Sequence, residues 1–248
     1  MSEAKKIFFL SDLHLGMQPV KESLEREKKV VDWLESIRHE ASEIYLLGDV
    51  FDYWFEYRKV VPRGFTRFLG KIAQITDSGI RVNLFTGNHD VWVFDYLPSE
   101  IGVEVFRQPI LREYGGKKFY IAHGDGLGPG QAGYKLLKSL FTSKIAQWLY
   151  ARIHPNTATG FAHRWSKKSR YDKGVSTGFL GEDKEHLILH AREMMKNEHF
   201  DYFIFGHRHL PLEYDMGEGC RLFYLGDWIE NYSYAVFDGT TLEFRSLD

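Results

Sequence analysis

Seven side chains of this 248-residue chain are of the types that hold divalent metal ions, and they come in five short groups. These are Asp12 with His14 (D-x-H), Asp49 (GDVFD), Asn88 (GNHD), His123 (AHGD), and His207 with His209 (GHRH). Each follows an apolar run and sits in a glycine-containing loop, where the backbone can turn sharply and approach an ion or a phosphate closely. Residues two apart on an extended segment point the same way, so Asp12 and His14, like His207 and His209, can present paired faces. Carboxylate, amide and imidazole donors suit Mn, Fe, Zn or Co better than a thiolate-seeking ion. A shared carboxylate can hold two such ions about 3.5–4 Å apart, an arrangement used to cleave phosphoesters. Nucleophilic serine or cysteine chemistry has little support. No G-x-S-x-G occurs, and the single cysteine, Cys220, lies outside every group.

The elements that must position these groups alternate. KIFFL (Lys6–Leu10) reads as a buried strand, residues 22–40 as an amphipathic helix (Leu24, Val30, Val31, Leu34, Ile37), and EIYLLGD as a second strand. A helix from Phe65 to Thr76 and a strand in RVNLFTGNHD complete a βαβαβ pattern, which favours parallel strands flanked by helices. Ligands collect at the carboxyl ends of such strands. KKFYIAHGD, DYFIFGHRH and RLFYLGDW continue the strand-to-loop pattern, and YSYAVFDG with TTLEFRS reads as a closing antiparallel hairpin around Asp238 and Gly239. Between His123 and His186 no convincing strand occurs. Leu136, Leu137, Leu140, Phe141, Ile145, Trp148, Leu149 and Ile153 recur there at helical spacing, so the stretch reads as a helical insertion.

Bulk properties narrow the class. A composition 44% hydrophobic and 27% charged is that of a globular protein rather than a disordered chain or a membrane bundle. No run of about 18 apolar residues occurs, so any membrane link is expected to be peripheral. The segment MSEAKKIFFLSDLHLG reads as a first strand rather than a signal peptide. One cysteine allows no internal disulfide and fits a reducing compartment, the cytoplasm. The net charge of -2 gives no overall bias toward nucleic acid, but the charge is unevenly placed. From Gln131 to Gly174 nine Lys or Arg face one acid, Asp172, which leaves about -10 on the remainder. A basic, aromatic-rich amphipathic insert suits an anionic lipid surface or a phosphorylated amphiphile. Its apolar stripe could equally dock on the core or shelter acyl chains, each buried methylene contributing about 0.8 kcal/mol.

Taken singly, each group has a bland reading: GNHD can be a turn, and a strand-end histidine is often a hydrogen-bonded core residue. Five in this order are a different matter. The succession D-x-H, G-D-x-x-D, G-N-H-D, H-G-D, G-H-x-H resembles that of the calcineurin-like metallophosphoesterases along nearly the whole chain. The resemblance implies an α/β (α+β) fold, a four-layer β-sandwich of two mixed sheets flanked by helices. It spans a single domain (1–248) with a helical cap inserted at 127–180. It implies that Asp12, His14, Asp49 and His209 hold one ion and that Asp49, Asn88, His123 and His207 hold the other, with Asp49 bridging. The ions expected are Mn first, with Fe, Zn, Co or Mg as alternatives. His89 matches the phosphate-contacting histidine, a general acid or charge stabiliser, and Asp90 is expected to orient it.

Within that family, GDVFDYWF, HGDGLGPGQAGYKLLK and the late LGDW resemble the UDP-2,3-diacylglucosamine hydrolases of lipid A synthesis. These carry a helical cap after H-G-D and cleave the substrate pyrophosphate at the UMP phosphorus, releasing UMP and the sugar 1-phosphate. The best-known branch has arginine where this chain has His89. Individual lipid contacts are therefore not carried over, and Arg164, Lys167, Lys168 and Arg170 stand as candidate contacts to the sugar phosphate or headgroups. The expected partners are an amphiphilic nucleotide-sugar lipid and the cytoplasmic face of the inner membrane, with no nucleic acid and no obligate protein. The rivals are a phosphodiesterase or nucleotide pyrophosphatase acting on a soluble substrate, a non-catalytic scaffold, and an exonuclease using Trp148 and Trp165 for stacking.

Overall fold

Both faces of the first strand are apolar, and this dictates the layering. In β1 (Lys6–Leu10), Ile7 and Phe9 point one way and Phe8 and Leu10 the other, and all four are buried. Such a strand needs a cover on each side. The computed structural model, which describes residues 5–162, 164 and 178–247, provides both covers.

Strands β2 (Ala41–Leu46), β3 (Arg81–Phe85) and β4 (Glu104–Phe106) follow β1 in parallel. The hairpin of β10 (Ser233–Phe237) and β11 (Leu242–Ser246) joins antiparallel to β1, giving a six-stranded sheet in the order β11-β10-β1-β2-β3-β4. The second sheet is built from β5 (Ile110–Tyr114), β6 (Lys117–Ala122), β7 (Tyr202–Phe205), β8 (Pro211–Gly217) and β9 (Cys220–Leu225). Its order is β5-β6-β7-β9-β8, with β6, β7 and β9 parallel and both edges antiparallel. Ile7, Phe9, Tyr45 and Phe85 of the first sheet meet Phe119, Ile121, Ile204 and Phe223 of the second in the central layer. Phe9 lies in the middle of it, its ring 5.0 Å from Tyr45 and 6.2 Å from Phe119.

Helices α1 (Val20–Ile37) and α2 (Thr66–Asp77) cover the outer face of the first sheet, with Val30, Trp33, Leu34, Phe68 and Ile72 packed on Phe8, Leu10 and Ile44. On the opposite side α6 (His186–Met195) covers the second sheet through Leu187, Ile188 and Ala191. Four layers result, as the resemblance implied. Helices α3 (Ala132–Thr142), α4 (Lys144–Tyr150) and α5 (155–162) lie in the stretch expected to be helical.

Local departures have physical causes. Helix α1 begins at Val20 and ends at Ile37, earlier at both ends than 22–40. Leu24 sits at the edge of exposure (36%), while Ser23 and Glu27 are buried. Those polar residues satisfy backbone donors. Ser23 Oγ accepts from Gly16 N at 2.6 Å, and Glu27 Oε1 accepts from Arg67 N and Phe68 N at 3.0 and 3.1 Å, serving the uncapped start of α2. Strands β4, β5 and β8 were not foreseen. All are edge strands, and β5 and β8 alternate between half-buried and exposed positions, a weak apolar signal.

Phe9→Ala is expected to lower unfolding stability by about 3–5 kcal/mol, the loss typical of a large aromatic deleted from a close-packed layer. Urea denaturation measures it, and a loss below about 1 kcal/mol would show that the two sheets are not held together there.

Candidate metal centre

The parallel strands β1, β2, β3, β6, β7 and β9 all point their carboxyl ends at one edge of the sandwich. Each releases a polar residue one to three positions beyond its end: Asp12, Asp49, Asn88, His123, His207 and Asp227. The turn out of the strand is unusual. Among the described residues eight non-glycines have positive φ, and five of them are Asp12 (56°), His14 (43°), Asp49 (51°), His207 (65°) and His209 (52°). Left-handed backbone at a non-glycine is unfavourable and persists only where its surroundings hold it. Here it aims five side chains into one space.

The loops also crowd one another. A methyl group at Gly87 would strike the Asp49 carboxylate, and one at Gly206 would strike Ser11 Oγ and come within 2.7 Å of Asp12 Oδ2. A methyl at Gly48 would lie 2.6 Å from the His123 ring. Glycine is required at these three positions by contact with the site itself.

Six of the seven expected ligands fall into close groups, and Asn88 lines the adjoining cavity. Asp12, His14 and His209 form one group able to hold an ion, Asp49, His123 and His207 another, and His14, Asp49 and His89 a third that overlaps both. Asp49 Oδ2 lies 3.7 Å from His14 Nε2 and 3.6 Å from His123 Nε2, so one carboxylate oxygen faces both halves. His14 Nε2 and His209 Nε2 are 3.2 Å apart, and Asp12 Oδ1 is 3.1 Å from His209 Nε2. Donors sharing one ion at about 2.1 Å are separated by about 3–3.5 Å. Among the described residues, Asp12 Oδ1, Asn88 Oδ1 and His123 Nε2 are buried and form no hydrogen bond of good geometry, Asp12 Oδ1 having only the His209 ring nitrogen nearby. Buried polar atoms left unmet in this way are costly unless something binds them. Their chemistry (oxygen, amide oxygen and imidazole nitrogen) fits divalent metal ions.

Surrounding residues set the imidazoles. His123 Nδ1 donates to Leu47 O at 2.6 Å, which turns Nε2 toward Asp49. His209 Nδ1 meets Asp227 Oδ2 at 3.2 Å, and Asp227 Oδ1 is held by the amides of Ile229, Glu230 and Asn231. Asp52 stands behind two rings: its Oδ1 is 3.4 Å from His14 Nδ1, and its carbonyl accepts from His89 Nδ1 at 3.0 Å. Asp90 holds backbone amides. It accepts from Gly87 N (2.7 Å), Val50 N (2.8 Å) and Phe51 N (3.3 Å), bracing the GDVFD and GNHD loops, while Asp52 contacts His89. Burial and the neighbouring Asp49 charge push the Asp90 carboxyl up to about 7. Asp52 and Asp227 escaped the sequence reading, although each occupies a noted motif: the second acid of G-D-x-x-D and the acid of LGDW. Such supporting carboxylates fix ring orientation and basicity at metal sites.

Buried carboxylates and imidazoles shift one another's protonation. Burial disfavours the cation at His123 and His209, yet nearby carboxylates (Asp49 for the first, Asp12 and Asp227 for the second) outweigh it and lift both to about 10. His207, buried and beside the charged His123, is pushed down to about 3. Asp12 and Asp49 are held below the usual carboxylate range by those same imidazoles despite their burial.

The expected substrate contacts divide. Arg164 is exposed, its Nε donating to Gly160 O at 3.2 Å, while Lys167, Lys168 and Arg170 lie outside the described residues. The apolar stripe also divides. Phe141 and Tyr150 dock on Trp92, with ring centroids 5.5 and 4.8 Å away, and Tyr53 meets Tyr150 through their hydroxyls at 3.1 Å. Leu136, Ile145 and Trp148 stay exposed, Trp148 beneath the Arg152 guanidinium at 4.6 Å. Between helices and core lies a cavity of about 560 Å³. Asp52, Asn88 and His89 line part of it, with Trp92, Leu140, Phe141, Leu149, Ile153 and Phe161 among its apolar walls.

A double-sheet sandwich carrying this cluster at its strand ends defines a metal-dependent phosphoesterase. The chain belongs to the calcineurin-like phosphoesterase family, whose model matches residues 5–211, and is a metal-dependent hydrolase. It is 43% identical over 256 positions to a Porphyromonas gingivalis protein named UDP-2,3-diacylglucosamine hydrolase, with 98% of both chains covered. A Shewanella sp. protein of the same name is 24% identical over 98% of this chain and 97% of its own. Among solved structures, Vps29 of Chaetomium thermophilum aligns with a TM-score of 0.47 at 10% identity, over 97% of this chain and 87% of that one.

Two tests address the centre. Asp49→Ala and His123→Ala are each expected to reduce turnover by at least about a thousandfold and to lower bound metal, with far-UV circular dichroism unchanged. Retained activity in either would remove that residue from the centre. Because His123 and His209 hold protons up to about pH 10, ligand binding must expel both, and metal affinity is expected to rise with pH from neutrality toward 10. Calorimetric titration with Mn at pH 7 in buffers of different ionisation enthalpy should register about two protons released. Zero release would mean that the ions bind elsewhere.

Proposed function

We propose that this chain hydrolyses UDP-2,3-diacylglucosamine to UMP and 2,3-diacylglucosamine 1-phosphate. The observation that carries the reading is the large apolar cavity, which shares Asn88 and His89 with the candidate metal centre. A phosphoester held at the centre would have its greasy portion within reach of that cavity, as an amphiphile with a charged diphosphate and acyl chains requires. The 43% identity to a hydrolase of that name over nearly the full length supports the same substrate.

Asp12, His14, Asp49 and His209 are proposed to hold one divalent ion and Asp49, Asn88, His123 and His207 a second, Mn being our choice. Such ions supply a hydroxide nucleophile near neutral pH and neutralise phosphate charge. The chain's own residues do the rest. His89, half-buried at the cavity edge and oriented by the Asp52 carbonyl, is placed to donate to phosphate oxygens as charge develops. Its burial lowers its pKa, so a protonated His89 is favoured on the acid side of neutrality. The apolar walls bind chains remote from the reacting phosphorus, and such binding energy can be used to orient the reacting bond. Asp90 serves by bracing the loops.

Residues 127–180 are proposed to act as a cap. No helix among the described residues is long and apolar enough to cross a membrane. The exposed Leu136, Ile145 and Trp148, with Lys144 and Arg152 beside them, suit contact with an anionic bilayer surface, which we place at the cytoplasmic face of the inner membrane.

The test is UMP release by Mn-loaded protein from the diacylated substrate and from its deacylated counterpart. The acylated form is expected to be turned over with a kcat/KM at least about a hundredfold higher, given about 0.8 kcal/mol per buried methylene. Equal efficiency on both would overturn the lipid reading in favour of a soluble substrate.

A further inference from the structure

A second, smaller cavity of about 260 Å³ opens beside the candidate centre. His123 lines it, just as Asn88 and His89 line the larger one, and Lys138 belongs to the walls of both. Both spaces therefore adjoin the same cluster and share one side chain. Their chemistries differ. The larger is walled chiefly by aromatic and aliphatic groups, whereas Arg107, Gln108, Thr86, Lys135 and Lys138 contribute to the smaller.

Its charge is unbalanced. Lys138 pairs with Asp125 at 2.6 Å, and Tyr134 also donates to that carboxylate. Arg107 is steered by the carbonyl of Val93 at 2.8 Å, and neither Arg107 nor Lys135 meets a carboxylate among the described residues. Two uncompensated cations on one small cavity stand out because the chain beyond the insert is strongly acidic. An anion is drawn to such a place. Gln108 and Thr86 add an amide and a hydroxyl, groups that can recognise a base edge or a sugar, and the Gly124 and Gly126 positions leave part of the wall without side chains. At about 260 Å³ the space falls just under the range of about 300–1,000 Å³ that takes a whole ligand, a size suited to part of a larger one.

We infer that this cavity binds the nucleoside monophosphate half of the substrate, its phosphate toward His123 and its nucleoside between Gln108 and Lys135. The inference rests on the hydrolase reading for its full substrate, but it concerns a separate set of residues. The bipartite substrate then lies across the centre, lipid on the His89 side and nucleotide on the His123 side, with Lys138 between them.

Binding of UMP, inorganic phosphate and 2,3-diacylglucosamine 1-phosphate to the Mn-loaded protein, measured by calorimetry, tests it. Both Lys135 and Gln108 are exposed, so Lys135→Gln and Gln108→Ala remove no core packing. Each is expected to weaken UMP by about tenfold; Gln108→Ala leaves inorganic phosphate within about twofold of wild type, Lys135→Gln, which removes a cation, weakens it by less than it weakens UMP, and the lipid product stays within about twofold in both. Unchanged UMP affinity in both variants overturns the inference, as does an equal loss for inorganic phosphate, which would mark a general anion site. Wild-type protein that releases no UMP from the acylated substrate, yet loses UMP binding in the variants, would sink the hydrolase reading and leave the nucleotide site standing.

Discussion

Asp12 and Asp49 carry their carboxylates almost wholly out of water, at 0% and 2% exposure, among imidazoles that are buried (His14, His123) or half-buried (His207, His209). Charge in such a place is tolerated only beside opposite charge, and the loops around it are built to meet that demand. The left-handed turns at Asp12, His14, Asp49, His207 and His209 bring the groups together, and Gly48, Gly87 and Gly206 allow the loops to approach without side chains between them. Asp52, Asp90 and Asp227 form a surrounding belt of acids, Asp52 and Asp227 behind the imidazoles and Asp90 and Asp227 gripping backbone amides. Strain and buried charge are both destabilising on their own. Divalent ions in the centre would relieve the second and justify the first.

The same electrostatic logic extends outward. A centre that concentrates positive charge attracts phosphate but has no means of distinguishing one phosphoester from another. Selectivity has to come from the spaces on either side, and these differ in polarity: aromatic and aliphatic walls beyond His89, cationic and amide groups beyond His123. Helix α3 contributes to both, because it carries Leu137, Leu140 and Phe141 as well as Lys135 and Lys138. One amphipathic helix can thus supply opposite chemistries to two cavities, a consequence of the 3.6-residue turn that separates its faces. Its remaining outward side, with Leu136 exposed, is left to the surroundings.

Periodicity and turn chemistry make much of this molecule legible in its sequence. KIFFL, EIYLL, RVNLF, KKFYIA, YFIF and RLFYL read as buried strands that each run into polar residues, so the parallel order of the first three and the chemical character of the rim followed from residue order, while the division into two mixed sheets was implied by the resemblance alone. The donor types at Asp12, His14, Asp49, Asn88, His123, His207 and His209 likewise announced divalent ions through ligand chemistry alone.

Other features needed the third dimension. Edge strands β4, β5 and β8 carry weak apolar patterns because half of each faces solvent, and only pairing with a neighbour defines them. Asp52 and Asp90 stand three and two positions from Asp49 and Asn88, but nothing in that spacing says which would face His89, since a φ near +50° at Asp49 redirects all that follows. The fate of the apolar stripe at 136–153 was equally undetermined. Helical spacing predicted a continuous face, whereas the packing of Phe141 and Tyr150 on Trp92 divides it into docked, cavity-lining and exposed parts. Composition and order along the chain thus determined which elements form and which atoms can bind metal. Which of those atoms meet, and what lies beside them, was decided by long-range contacts between loops far apart in the chain.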